Sequence, residues 1–196
     1  MERIGLFGGT FDPPHLGHLT LAEWARERLA LDRVVFIPAG RPPHKRGGRI
    51  SSAAARLAMT RLAVRSNPGF RVSTVELEPG GPSFTVDTLR WFAVRAPGSR
   101  LYLLIGADSL DDLRRWHEPD QILKLAALAV AGRPGVGRRS RTWLRGRRVV
   151  WLGNPGLEVS SSLARQRARA GRSLRYLVPD AVAAFIERQG LYRRRR

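Results

Sequence analysis

Apolar residues fall into two alternating kinds of run along the chain. Arg3–Phe7 (RIGLF), Arg33–Pro38 (RVVFIP), Arg71–Leu77, Leu101–Ile105 (LYLLI), Ala126–Ala131 and Val149–Leu152 are short and largely apolar. Runs of that length, bounded by Gly, Pro or charged residues, read as strands buried on both faces. Between them the apolar positions recur at helical spacing, as with Leu21, Ala25 and Leu29 at i, i+4 and i+8. Helices are predicted over Gly17–Leu29, Ala53–Val64, Phe84–Ala93, Ser109–Trp116, Pro119–Leu125, Ser161–Ala170 and Pro179–Arg188. Strand–helix alternation of this kind predicts an α/β fold of Rossmann-like type, with a parallel sheet flanked by helices on both faces. We expect one domain over residues 1–196, with 160–192 as a small helical C-terminal part and 193–196 as a basic tail. The Gly- and Arg-rich segment Arg133–Arg148 reads as a loop. In such sheets ligands bind beyond the carboxyl ends of the strands, at the switch point of the strand order.

Composition narrows the class. The chain has no cysteine, which excludes disulfides, cysteine-ligated zinc and thiol catalysis. The first residues, MERIGLFGGTFDPP, lack the apolar core of a signal peptide, and no apolar run reaches the roughly 18 residues of a membrane span. A soluble cytoplasmic protein without membrane partners is the expectation, and self-association is left open. The formal net charge is +19, carried by Arg rather than Lys, since Lys45 and Lys124 are the only lysines. Residues 133–196 hold +14 of it. That excess suits a polyanion, an anionic small molecule, or merely solvated arginine faces. No zinc-finger, RRM or KH pattern accompanies it, so nucleic acid is not the expected partner.

The chemistry concentrates after the first strand, in Gly8-Gly9-Thr10-Phe11-Asp12-Pro13-Pro14-His15-Leu16-Gly17-His18. Paired glycines let the backbone turn sharply and approach a ligand. Their amides, with a helix N-terminus behind, make an anion site. His15 and His18, three apart, can share one face of the first helical turn and donate to phosphate oxygens. Gly17 between them keeps a β-carbon away from the ligand. The loop is neither a Walker loop nor a dinucleotide G-x-G-x-x-G. A second element, Ser160-Ser161-Ser162-Leu163-Ala164-Arg165, lies at a coil-to-helix transition. Its hydroxyls can cap the helix or bind phosphate, and Arg165 adds a fork of donors. Gly106 and Asp108 follow the central strand; Asp108 can accept from ribose hydroxyls or cap a helix. Ser83 or Thr85 suits a helix cap, and Trp116 suits either the core or a stacking face for a pyridinium ring.

GGTFDPPHLGH resembles the G-G-x-F-D-P-x-H-x-G-H signature of the nucleotidylyltransferase superfamily. V-S-S-S-L-A-R resembles the superfamily's second phosphate element, with Val159 where isoleucine is usual. P-P-H-K, G-P-S-F-T-V-D-T-L, I-G-A-D-S-L-x-x-L-x-x-W, A-G-R-P-G and the closing R-Y-L-V-P-D-A-V-x-x-F-I-x-x-x-G-L-Y resemble the bacterial nicotinate-mononucleotide adenylyltransferases. The resemblance implies transfer of the adenylyl group of ATP to nicotinate mononucleotide, giving deamido-NAD and pyrophosphate, with Mg²⁺ carried mainly by the ATP phosphates. It implies that Gly8, Gly9, Thr10, Phe11 and His15 position the phosphates and that His18 stabilises the transferring group. Ser161, Ser162 and Arg165 would then hold the pyrophosphate, with Ser160, Gly106 and Asp108 also among the ATP-binding residues. On the acceptor side it implies Thr85, Trp116 and His117 at the nicotinate, Lys45 at a phosphate and Arg133 near the ligand. His117 stands where many members carry tyrosine. Two rivals remain at this stage: an adenylyltransferase for nicotinamide mononucleotide or phosphopantetheine, and a nucleotide- or RNA-binding module without catalysis.

Overall fold

The computed structural model describes residues 1–40, 50–81, 84–132 and 142–193. Its strands are β1 (Arg3–Gly9), β2 (Arg33–Pro38), β3 (Phe70–Val72), β4 (Arg100–Gly106), β5 (Ala126–Ala131) and β6 (Val149–Trp151). Its helices are α1 (Leu16–Arg28), α2 (Ala53–Val64), α3 (Thr85–Arg95), α4 (Ala107–Asp112), α5 (Pro119–Leu125), α6 (Ser161–Arg169) and α7 (Asp180–Arg188). Short 3₁₀ turns cover Leu113–Arg115 and Thr142–Leu144.

The strands form one parallel sheet in the order β3-β2-β1-β4-β5-β6. The order reverses between β1 and β4, which pair in the register Arg3↔Arg100 to Leu6↔Leu103. Alternation along each strand splits the core into two layers. Ile4, Leu6, Leu101, Leu103, Ile105, Leu128 and Val130 point to one side, where they meet Val86 and Leu89 of α3, Leu110 of α4 and Ile122 of α5. Phe7, Tyr102, Leu104, Ala127 and Ala129 point to the other, against Leu21 and Ala25 of α1, Met59 of α2, Ala164 of α6 and Val182 of α7. Leu21, Ala25 and Leu29 are all buried, as their spacing predicts.

One strand is shorter than its sequence suggests. Arg71–Leu77 reads as a strand, but pairing stops at Val72. Ser73 Oγ accepts from Val75 N at 3.3 Å, and Leu77 N bonds Thr74 O at 2.7 Å. These local bonds compete with the ladder on an edge strand that has a neighbour on one side only. Val75 still reaches the core, at 1% exposure. The cap expected at Ser83 or Thr85 also differs: Phe84 occupies the N-cap of α3 without a side-chain bond, Thr85 is the first helical residue, and Ser83 lies outside the described residues.

The C-terminal helices return to the start of the chain. Leu16 N, at the head of α1, donates to Leu177 O at 2.9 Å, so a residue just before α7 satisfies one of the orphan amides of α1. Trp24 Nε1 donates to Leu152 O at 3.1 Å and fastens α1 beside the end of β6. Among the described residues no helix is long and apolar enough to cross a membrane.

Leu104 is 1% exposed in β4 at the centre of the sheet. Leu104→Ala should lower unfolding free energy by about 2–5 kcal/mol, the cost of a core cavity. Chemical denaturation with an unchanged slope checks it; a loss below about 1 kcal/mol would contradict the packing described.

Candidate active site

In a parallel sheet every crossover leaves the carboxyl end of its strand. The segments after β1, β4 and β6 and the start of α3 therefore gather along one edge, with Gly8–Gly9 and Gly106 at the ends of the two strands that flank the switch point. Gly8 is exposed, and a β-carbon there would meet nothing within 4 Å.

The loop that follows is packed from below. Phe11 is 1% exposed, has a left-handed φ of 49°, and sets its ring edge-on to Phe7 and His18 at 5.6 and 5.1 Å. The Phe11 side chain is thus core, and only its backbone is left for a phosphate. The Asp12–Pro13 peptide is cis. His15 is the N-cap residue of α1, and His18 is the third residue of the helix. Their rings stack at 3.6 Å, and His15 N donates to His18 Nδ1 at 3.1 Å. A neutral imidazole that accepts at Nδ1 carries its proton on Nε2, so the bond leaves His18 a donor at Nε2. Gly17 also makes room for a neighbour: a β-carbon there would stand 3.1 Å from His15 Nδ1 and 3.2 Å from its Cε1.

The Ser160–Arg165 element sits against this loop, and its groups bond mainly to protein. Ser160 Oγ caps α6, accepting from Leu163 N at 3.1 Å. Ser161 Oγ donates to Pro13 O at 2.8 Å, and Arg165 donates through one terminal nitrogen to Asp12 O at 2.7 Å. The other terminal nitrogen bonds Ser162 Oγ at 3.1 Å. Asp108 lies on the exposed first turn of α4, whose N-cap is Gly106, so the capping alternative for Asp108 does not hold.

Sequence reasoning passed over three residues beneath the loop. Asp12 is 1% exposed, and its carboxylate accepts from Tyr192 Oη at 2.6 Å and from Ser51 N at 3.3 Å. Buried Arg56 donates to Thr10 O at 3.1 Å and Ser51 O at 3.2 Å. Burial lowers the Arg56 pKa, against the pull of Asp12. Burial and the bond to Asp12 push the Tyr192 phenol far above its usual range, so its hydroxyl remains a donor. Asp12 and Tyr192 lie inside quoted motifs, but no local pattern shows that they meet.

A second cluster lies at the start of α3. Thr85 is its first residue, and the exposed Phe84 ring lies 4.4 Å from the His117 ring at 33°. Trp116 ends the 3₁₀ turn and packs partly buried on the core, which is the first of its two readings. Glu118 bonds Arg90 of α3 at 2.5 Å, and His117 Nε2 stands 3.4 Å from the same carboxylate. Arg90 holds Glu118 below the usual carboxylate range. The structure thus brings Thr85 and the 116–118 turn together. Lys45 and Arg133 lie outside the described residues.

A cytidylyltransferase-like family model matches residues 6–167. A protein of Thermomicrobium roseum named "Probable nicotinate-nucleotide adenylyltransferase" is 46% identical over 98% of this chain and 92% of its own length. One of the same name from Exiguobacterium sibiricum is 48% identical over 97% and 98%. The chain belongs to the nicotinate-nucleotide adenylyltransferases, within the cytidylyltransferase-like family. It is a nucleotidyltransferase by that membership. The fold is shared with Plasmodium falciparum nicotinic acid mononucleotide adenylyltransferase complexed with NaAD, at a TM-score of 0.83, 16% identity and 98% coverage of both chains. The same parasite enzyme complexed with APC gives 0.79 at 17% identity, again over 98% of each.

Gly17→Ala should push the His15 ring by a few tenths of an ångström and cut turnover about tenfold with little change in melting temperature. Pyrophosphate release checks it; wild-type turnover would mean the ring has slack.

Proposed function

We propose that the chain joins ATP and nicotinate mononucleotide to give deamido-NAD and pyrophosphate. The observation that carries this reading is the pairing of two clusters along one sheet edge. The stacked His15–His18 loop with α6 suits a triphosphate, and the Thr85, Phe84 and His117 cluster suits a flat acceptor ring. The names of relatives aligned over nearly the whole chain supply the acceptor's identity.

The acceptor phosphate is ionised near neutral pH and needs no general base. One of its oxygens attacks the α-phosphorus of ATP; a new P–O bond forms there as the bond to the β-phosphate's bridging oxygen breaks, and pyrophosphate carries the electron pair away. The protein's part is alignment and charge stabilisation. Amides of Gly8 to Phe11 and the His15 ring hold phosphates, while the proton on His18 Nε2 faces charge gathered on the transferring group. Ser162 and the remaining N–H groups of Arg165 meet the pyrophosphate. Ser160 and Ser161 contribute by building the end of α6, and Gly106 and Asp108 meet the adenosine. For Lys45 at a phosphate and Arg133 near the ligand, the family resemblance is the support. The donor set is amide, imidazole, hydroxyl and guanidinium, and among the described residues no cluster of three His, Cys, Asp or Glu could hold a metal ion. Mg²⁺, when bound, would be carried mainly by the ATP phosphates and would offset their charge, while the loop amides, the histidines and Arg165 hold the nucleotide. Arg90 is shared between Glu118 and Asp87, so it offsets only part of the negative charge beside the 116–118 turn. A cytoplasmic location belongs to the same reading.

His18→Ala should lower turnover by about 10²–10³, the range for a lost electrostatic stabiliser. Near wild-type turnover would remove His18 from the reaction. Offered both mononucleotides with ATP, the enzyme should prefer nicotinate over nicotinamide in kcat/KM by at least about tenfold. Equal rates would overturn the acceptor assignment. No pyrophosphate with any acceptor, alongside salt-sensitive RNA binding, would favour the binding-module reading instead.

A further inference from the structure

The loop from Thr10 to Pro13 makes its bonds to three distant parts of the chain. Arg56 of α2 holds the Thr10 carbonyl at 3.1 Å, Arg165 of α6 holds the Asp12 carbonyl at 2.7 Å, and Ser161 holds the Pro13 carbonyl at 2.8 Å. The Asp12 side chain is tied down separately. Its Oδ2 takes Ser51 N at 3.3 Å, a long bond, and its Oδ1 takes the Tyr192 hydroxyl at 2.6 Å. The Tyr192 bond is therefore the short one on a carboxylate sealed from water. Charge-assisted bonds of this length are the strong ones. Tyr192 reaches it from four residues beyond the end of α7, with a left-handed φ of 68° that an aromatic residue rarely adopts. Its ring packs with the core beside Met59, whose sulfur lies 3.9 Å from the hydroxyl.

Arg165 also bonds Asp12, through the carbonyl, so Asp12 links Tyr192 and Arg165. His15, three residues further on, sets the position of His18 through its own amide. Any rotation of the Asp12 backbone is passed in one direction to the guanidinium and in the other to the imidazole pair.

We propose that Tyr192 is a positioning residue for the adenylyl transfer, acting through the Asp12 carboxylate to hold the loop, and with it His15 and Arg165, in the shape that receives ATP. The inference rests on the proposed function only in the choice of ATP as the nucleotide. It predicts a loss in nucleotide binding and turnover that exceeds any loss of fold.

Tyr192→Phe removes the hydroxyl and keeps the ring. Well below its melting temperature it should bind ATP about tenfold more weakly by calorimetry, the ratio for a lost hydrogen bond to a charged group. With nicotinate mononucleotide saturating, KM for ATP should rise and kcat should fall, while KM for the mononucleotide stays within about twofold. Tyr176→Phe, at a side chain 83% exposed, should change neither. Asp12→Asn keeps the size of the side chain and removes its charge. Combined with Tyr192→Phe it should cost less than the product of the two single losses, because both act on one bond. Wild-type ATP affinity and KM in Tyr192→Phe would overturn the proposal, as would losses that multiply. If the wild-type protein binds ATP but turns over no mononucleotide, the acceptor assignment fails while ATP affinity still decides the role of Tyr192. If it binds no ATP, both fail.

Discussion

A carboxylate taken out of water must be given donors, and the place where those donors come from fixes the surrounding chain. Asp12 is that group here. Its two oxygens draw in the amide of Ser51 before α2 and the hydroxyl of Tyr192 after α7, and its carbonyl draws in Arg165 of α6. The loop after β1 is thereby closed by elements that follow two different strands, β2 and β6. The two stacked histidines, the turn at Phe11 and the docking of α6 all depend on the path that this closure imposes. Loss of one donor leaves a buried charge underserved, which is why the arrangement is held in a single form rather than several.

The α6 segment shows how structural and chemical duties share residues. Ser160 and Ser161 spend their hydroxyls on a helix cap and on Pro13. Arg165 divides its guanidinium between Asp12 O and Ser162 Oγ and retains further N–H groups, because a guanidinium carries five. A lysine could not serve both sides at once with the same planar fork. The basic excess of the C-terminal third looks different in this light. Residues 133–196 carry +14, yet a single arginine in α6 is tied into the loop. Charge spread over a surface attracts anions only diffusely and loses that pull in salt.

Local periodicity made most of the fold legible. The strand at Arg33–Pro38, the helix at Ala53–Val64 and the strand at Ala126–Ala131 appear with the bounds their apolar patterns suggest. Arg71–Leu77 failed because Ser73 and Thr74 turn the chain by short-range bonds that hydrophobic pattern does not encode. At the site, the histidine spacing suited the stacked pair, since residues three apart on a helical turn share a face. What could not be read was which side chain finds which across the chain. Phe84 meets His117 and Asp12 meets Tyr192 only because the sheet order carries their loops to one edge. Gly17 stands out in the sequence, but that its missing β-carbon also leaves room for the His15 ring is visible only in the structure.

The Asp12–Tyr192 bond spans 180 residues. During synthesis the chain emerges from its N-terminus, so β1 and the loop leave the ribosome long before Tyr192 is made. The strands from Arg3 to Trp151 can pair in that interval. The carboxylate has no Tyr192 donor through all of it and stays hydrated, which keeps the loop open to water. A nascent chain can therefore have its sheet before the Tyr192 hydroxyl is there to meet the Asp12 carboxylate.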